Sequence, residues 1–399
     1  MKWAWFCSVL IASFVLSAAA VAEEKKEDSP KGFLIYEKGD TKIAIGGQLQ
    51  VQLAPFAGES NLLSNNDLAQ EEGFRLRRTR IKFRGQLDKT LTFALSTELK
   101  DDEDSGGNLL DAWLDWTPLK SDTFSLGLKG GAVELAWTRS TLISSAFQSA
   151  TERPFAIRAM APRRQGGAMV HAGFLKEMVR LNVGAYNSLH RKGNFFQGYE
   201  EVGQSLGNRL SRFAYAARLD VEPTVGSGKM KMSVPDAEVE KSLRANIGAG
   251  YFYNDGAAFK IHGVAVDAHV KWNGLALFGG FVWDTHEPAD EPTEVVVNEK
   301  ISEDSRSGWF AEADFTIMKE KFGVHARYEQ VDTGAGMDDD LQDVVTVGAN
   351  LYAHNQKVKV QLEYIHRVAN GFNCDGKFKT DEWTGVDRDT LLAQVQVAF

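Results

Sequence analysis

Cysteine is almost missing from this chain. There are two, Cys7 near the start and Cys374 near the end, so no internal disulfide framework can hold an exported fold together. Beyond the first residues there is no apolar run long enough to cross a bilayer as a helix. A basic surplus is absent as well: 45 Lys and Arg stand against 54 Asp and Glu, a net charge of -9. A generic nucleic-acid partner is therefore not expected. The 8 histidines contain no H-E-x-x-H, and Cys374 has no second cysteine for a zinc site. The acidic run Asp101-Asp102-Glu103-Asp104 approaches a calcium loop through Gly106, but Ala112 stands where the bidentate Glu belongs. Gly203-Gln204-Ser205-Leu206-Gly207 spells a nucleophile elbow without the buried strand and helix that an elbow needs. Asp267 and His269 share a strand face but have no serine to partner them. No enzyme, metal or cofactor is expected.

The amino terminus shows a positive start at Lys2, an apolar run from Val9 to Leu16, and small residues ending Ala20-Val21-Ala22 before Glu23. That order is a secretory signal peptide over residues 1–22. A short periplasmic segment, 23–40, and a single domain, 41–399, are expected to follow. The runs at 101–104, 287–294 and 338–340 are acidic and fit solvated loops, with divalent-cation contact to lipopolysaccharide as the alternative.

From Ile43 the sequence alternates. Ile43, Ile45, Leu49, Val51 and Leu53 fall on one parity, and Lys42, Gln48, Gln50 and Gln52 on the other. A period of two with one apolar face is a strand. The pattern recurs at 74–87, 91–99, 110–116, 124–128, 166–174, 179–185, 209–221, 243–253, 264–272, 275–283, 309–317, 322–330, 345–353, 358–364 and 391–399. That makes about sixteen strands, the even number a closed bacterial barrel requires. The connections alternate in length: 54–73, 131–163, 187–208, 284–307 and 331–343 are long, whereas 88–90, 175–178, 273–274, 318–320 and 354–356 are short. Short periplasmic turns alternating with long external loops predict an all-β transmembrane antiparallel β-barrel. Two connections depart from this rule: 222–241 is long where a short turn is due, and 254–258 is short where a loop is due. Trp116, Trp272, Phe315 and Phe399 at one set of strand ends, and Tyr253, Trp283, Trp309, Tyr328 and Tyr364 at the other, make two girdles on the apolar parity. The last strand ends on Phe399, which resembles the terminal strand read by the outer-membrane assembly machinery.

The strand 74–87 carries Arg78, Arg80, Lys82 and Arg84 on one face. Facing lipid near the midplane, each would cost roughly 2–4 kcal/mol, so this face must be lumenal. A row of cations in a water-filled pore raises the local anion concentration. By parity Lys129, Arg180, Arg212, Arg218, Lys271, Arg327, Lys357 and Lys359 join it, together with the acids Glu98, Asp111, Asp115, Asp267, Glu312, Asp314, Glu329 and Glu363. Two readings stay open: an arginine bank facing acids that sets a transverse field, or an anion-preferring path. The longest connection, 131–163, carries Trp137, Arg139, Arg153, Arg158, Arg163 and Arg164 with little acid. A loop of this length is usually functional, and it is expected to fold inward as the constriction, with an external loop covering the mouth as the alternative.

Within and around that loop, Lys129-Gly130-Gly131, Ser140-Thr141, Glu152-Arg153-Pro154-Phe155 and Ala161-Pro162-Arg163-Arg164-Gln165-Gly166 resemble the phosphate-selective porin O and P family. The likeness runs from about Gly32 to Phe399. It implies a sixteen-stranded, commonly trimeric porin in the Gram-negative outer membrane, passing small hydrophilic solutes and preferring anions such as phosphate through lumenal arginines and lysines. Segment 23–31 is too short for the coiled-coil extension of some relatives, and acids intersperse the lumen. The alternative is a structural barrel that sheaths or scaffolds a partner protein such as a cytochrome.

Overall fold

Alternation of side chains builds the wall. In the computed structural model, Gln48, Gln50 and Gln52 of one strand point inward and are buried, while Leu49 between them is exposed. The structure describes residues 32–57, 73–99, 108–189, 199, 212–223, 230–256, 259–288, 304–332, 341–354, 356–369 and 386–399. Residues 1–22, the acidic runs at 101–104 and 338–340, most of 287–294, the 203–207 motif and Cys374 lie outside them.

The strands are β1 (Phe33–Lys38), β2 (Thr41–Ala57), β3 (Gly73–Gln86), β4 (Leu91–Glu98), β5 (Asn108–Lys120), β6 (Phe124–Glu134), β7 (Arg164–Phe174), β8 (Val179–Asn187), β9 (Phe213–Val221), β10 (Arg244–Asp255), β11 (Phe259–Trp272), β12 (Leu275–Pro288), β13 (Asp304–Met318), β14 (Phe322–Asp332), β15 (Leu341–Ala353), β16 (Val358–Ala369) and β17 (Val386–Ala398). Each of β2 to β17 pairs antiparallel with its chain neighbours, and β17 returns to β2 with Gln394 opposite Gln52 and Val397 opposite Leu49. The sixteen strands from β2 to β17 therefore close into a barrel within the 17-stranded sheet. Closure leaves no sheet edge in the bilayer.

The remaining strand, β1, pairs with the start of β2 from Phe33 opposite Ile45 to Lys38 opposite Thr41. It takes up the line where β17 stops. Phe399 N donates to Gly47 O (3.1 Å), Gly47 N donates to Phe399 O (3.0 Å), and the rings of Phe33 and Phe399 lie 5.5 Å apart. At the short-turn end Asn273 and Gly274, both with positive φ, make the two-residue hairpin from β11 to β12, which an Asn-Gly pair favours. Trp116, Trp272, Phe315 and Phe399 are exposed at this end, and Trp309, Tyr328 and Tyr364 at the other. Both girdles thus face outward.

The barrel lumen and its constriction

Leu135, Trp137, Ile143, Phe155, Ile157 and Met160 follow β6 in a connection that would otherwise lie in water. All six are buried, and burying each such side chain is worth ~1.5–3 kcal/mol. The chain accordingly turns into the barrel. Helix α1 (Arg139–Leu142) is capped by Thr138, whose hydroxyl accepts from Thr141 N (3.2 Å). A single 3-10 turn follows at Ser145–Phe147, then helix α2 (Phe155–Met160). These apolar groups seat on inward-facing Phe252, Phe278, Phe310, Val331, Val344 and Ile365. Trp137 meets Phe252 edge-on, with centroids 5.0 Å apart. Gly250 makes room for the Trp137 backbone, since a Cβ there would sit 2.1 Å from Trp137 O.

An irregular loop carries backbone carbonyls that need donors once it leaves water, and the wall supplies them. Lys359 Nζ donates to Gln148 O (2.7 Å), Gln361 Nε2 to Ser149 O (2.7 Å) and Gln396 Nε2 to Ala146 O (3.0 Å). Arg218 Nη1 donates to Trp137 O (2.8 Å), and Arg327 Nη1 to Glu152 O (2.9 Å). Loop donors are matched in turn. Thr151 gives its N–H and hydroxyl to Glu363 (both 2.6 Å), Arg139 N gives to Asp267 (2.8 Å), and Phe155 N at the head of α2 gives to Glu329. The strongest tie is Glu152, which holds Arg77 (2.5 Å) and Arg78 (2.9 Å). Burial alone would raise the Glu152 carboxyl, but the two guanidiniums outweigh it and hold the group well below the usual carboxylate range.

The cations singled out in the sequence divide by environment. Arg78, Arg139, Arg153 and Arg218 are buried clamps. Arg153 staples the loop to itself by donating to Ser140 O (2.9 Å) and Ile143 O (2.6 Å). Arg218 sits between Asp220 (2.8 Å) and Asp267 (2.7 Å). Arg139 reaches His269 Nδ1 (3.2 Å), and Arg158 lies over the Phe155 ring at 5.5 Å. Arg212 pairs with Asp255 (3.1 Å) beside the short β10–β11 connection. Asp267 and His269 are therefore loop supports, which accounts for their shared face.

Two inward arginines escaped sequence reasoning. The pairing of β2 with β3 slips between Gln50 and Val51, a bulge that resets parity and turns Arg75 toward Gln52 (2.8 Å) and Arg77 toward Glu152. The seat of the loop had a signal in the sequence: Phe252, Phe278 and Phe310 stand on the lumenal parity, where a water-filled barrel would carry polar residues.

With the loop packed against β10–β17 and tied to β3 through Arg77, Arg78 and Arg80, the wall left open runs from the Lys82–Arg84 end of β3 across β4–β8. Lumenal side chains of the covered half are sealed, with Lys271 and Lys359 each 1% exposed. On the open half Lys129 is 23% and His171 24% exposed. Most cations here have a carboxylate: Arg80 with Glu98 (2.6 Å), Lys129 with Asp115 (3.2 Å), Arg163 with Glu134 (3.1 Å), Arg164 with Asp111 (2.8 Å), and Arg180 with Glu222 (2.7 Å). Lys129 also lies 4.2 Å from the Trp113 ring centroid. Among the described residues Lys82 and Arg84 have no carboxylate within ion-pair distance. Their cross-strand neighbours are Gly46 and Ser96 for Lys82, and Ala44 and Ala94 for Arg84. Both side chains are half-buried.

The sequence profile of the phosphate-selective porin O and P family matches residues 48–399. The chain belongs to that family. The porin has no match among curated proteins, and its likeness to solved structures is one of fold. It is similar to the anion-selective porin from Comamonas acidovorans, 12% identical over 90% of this chain and 100% of that one, with a TM-score of 0.55. It is also similar to the outer-membrane expressed OmpT of Vibrio cholerae, 11% identical over 92% and 100%, TM-score 0.53. A third is OprB of Pseudomonas putida, 11% identical over 90% and 94%, TM-score 0.51. The porin is thus an outer-membrane β-barrel for passive diffusion of small hydrophilic solutes and is not an enzyme.

Proposed function

We propose that this porin prefers anions, phosphate among them, and that solutes follow the wall of β3–β8 past Arg80, Arg163 and Arg164 to Lys82 and Arg84. The observation that carries the reading is the pair Lys82 and Arg84, two cations on the open part of the lumen with no carboxylate in ion-pair contact, Asp111 acting on both only from longer range. They stand two residues apart on one strand, ~7 Å along it, so an ion leaving one is already attracted by the other. The paired cations contribute a transverse field and bore shape more than net attraction. Arg78, Arg139, Arg153 and Arg218 act through the loop they hold. The bore is occupied by the 135–163 loop, which speaks against a barrel that sheaths another protein.

The same reading includes export through a signal peptide cleaved after residue 22, assembly guided by the strand ending in Phe399, a homotrimer, and lipopolysaccharide against the outer rim. Single channels in planar bilayers bathed in chloride test the solute claim when phosphate is titrated in. Phosphate held at Lys82 and Arg84 is expected to lower the chloride current. A current indifferent to phosphate would remove phosphate from the proposal.

A further inference from the structure

The connection from β9 to β10 lies at the short-turn end but is far longer than a turn. Its described residues from Met230 to Glu240 do not hang below the barrel. Met230, Val234, Asp236 and Ala237 are each at most 1% exposed. The segment rises into the lumen, and buried wall groups hold it there. Lys271 Nζ donates to Ser233 Oγ (2.7 Å) and Pro235 O (3.1 Å), and Thr316 Oγ1 donates to Asp236 O (3.0 Å). The Asp236 carboxylate accepts from Gly274 N (2.7 Å) and Glu240 N (3.1 Å). Below it, Glu320 N donates to Ala237 O (2.8 Å), and Asn273 N to Glu240 O (2.7 Å).

The segment also touches the constriction loop. Val234 N donates to Phe147 O (2.8 Å), and Arg139 Nη2 reaches Met230 Sδ (3.2 Å). His269 joins the two, with Nε2 on Val234 O (3.0 Å) and Nδ1 accepting from Arg139 Nε (3.2 Å). The loop from one end of the barrel and the turn from the other thus meet in mid-lumen.

We infer that residues 230–240 form a second constriction in series with the loop, a fixed partition that sets the size limit of the pore at the periplasmic end. The inference rests on the reading of the lumen as the solute path. The turn lies beneath the loop over β10–β13, so among the described residues the wall that it leaves uncontacted is that of β3–β8, where a solute that has passed the loop leaves. Its contacts are backbone hydrogen bonds and buried polar anchors, the construction of a fixed element. A size limit placed here acts on neutral and charged solutes alike.

The test replaces residues 231–239 by a short Gly-Ser linker and records single channels, with heat-modifiable migration as the check on folding. Conductance is expected to rise about twofold or more, since it follows the bore at its narrowest, and larger neutral sugars should enter liposomes. A second protein, Val234→Cys with Phe147→Cys in a Cys374→Ser background, ties the turn to the loop by a disulfide. Oxidised and reduced forms are expected to conduct equally. Unchanged conductance after excision, or a channel silenced by the disulfide, would overturn the inference. If the excised protein does not assemble, Lys271→Met, which removes the anchors on Ser233 and Pro235, should raise conductance too, and no rise would count equally against it. Zero-current potentials from the same recordings report anion preference separately, so failure of that reading and failure of this one are distinguishable.

Discussion

Glu152→Ala is expected to leave the barrel assembled and to give channels of higher and noisier conductance. Arg77 and Arg78 converge on this one carboxylate. Removing the anion leaves two neighbouring guanidiniums under the loop without the carboxylate that neutralises both. Breaking a buried ion pair from one side typically costs about 3–5 kcal/mol. Water entering the lumen can hydrate the freed groups, so the cost is met by moving the loop and not by unfolding the wall. The ties at Thr151 to Glu363 and at Gln148 to Lys359 hold the loop from the other side, and the expected state is partial detachment along β3. The measurement is single-channel conductance and open-channel noise, beside heat-modifiable migration that stays as in the parent protein.

The pH dependence follows from the same group. An unperturbed Glu titrates near about 4.3, and Glu152 is held below that range. A lowered pKa stabilises the anchored loop at all pH values above the unfolded value, and the contribution is lost as pH falls through the folded one. Loop anchorage should therefore persist through mild acid. Detachment of the loop already at pH 5 would assign the anchor to another group.

The second large effect concerns charge. Lys82→Glu with Arg84→Glu is expected to reverse ion selectivity while conductance stays of the same order. At ~7 Å a unit charge contributes ~0.6 kcal/mol to a passing ion in bulk water and ~2 kcal/mol at an effective dielectric of 20. Two charges reversed together should shift the anion-to-cation permeability ratio by roughly tenfold or more. Reversing a paired cation such as Arg180, beside Glu222, would mainly break an ion pair. The contrast separates free charge from arginine content. Salt conceals the effect, because the screening length falls from ~10 Å at 0.1 M to ~3 Å at 1 M.

Strand number, parity and the girdles were legible because a membrane barrel imposes a period of two on every strand, and a one-residue slip would place cations in lipid. The constriction loop could be located because 131–163 is the longest connection and carries arginines with little acid. What escaped the sequence lies where periodicity is locally broken or irrelevant. The β3 bulge turned Arg77 inward against its parity. Phe252, Phe278 and Phe310 face inward because the loop, and not water, covers them. The long turn after β9 has no periodicity at all, and its inward path depends on Lys271, Asn273 and Thr316, which are distant in sequence. The pairing state of the lumenal cations was equally hidden. Arg80, Lys82 and Arg84 look alike on one strand face, yet Arg80 is neutralised by Glu98 through a contact that parity cannot reveal.

Anion preference arising from Lys82 and Arg84 is measured most directly as the zero-current potential of the unaltered porin across a KCl gradient from about 0.1 M to about 0.01 M, where screening is weak. The dilute compartment is expected to become negative, because chloride crosses ahead of potassium. A positive dilute compartment would contradict that preference.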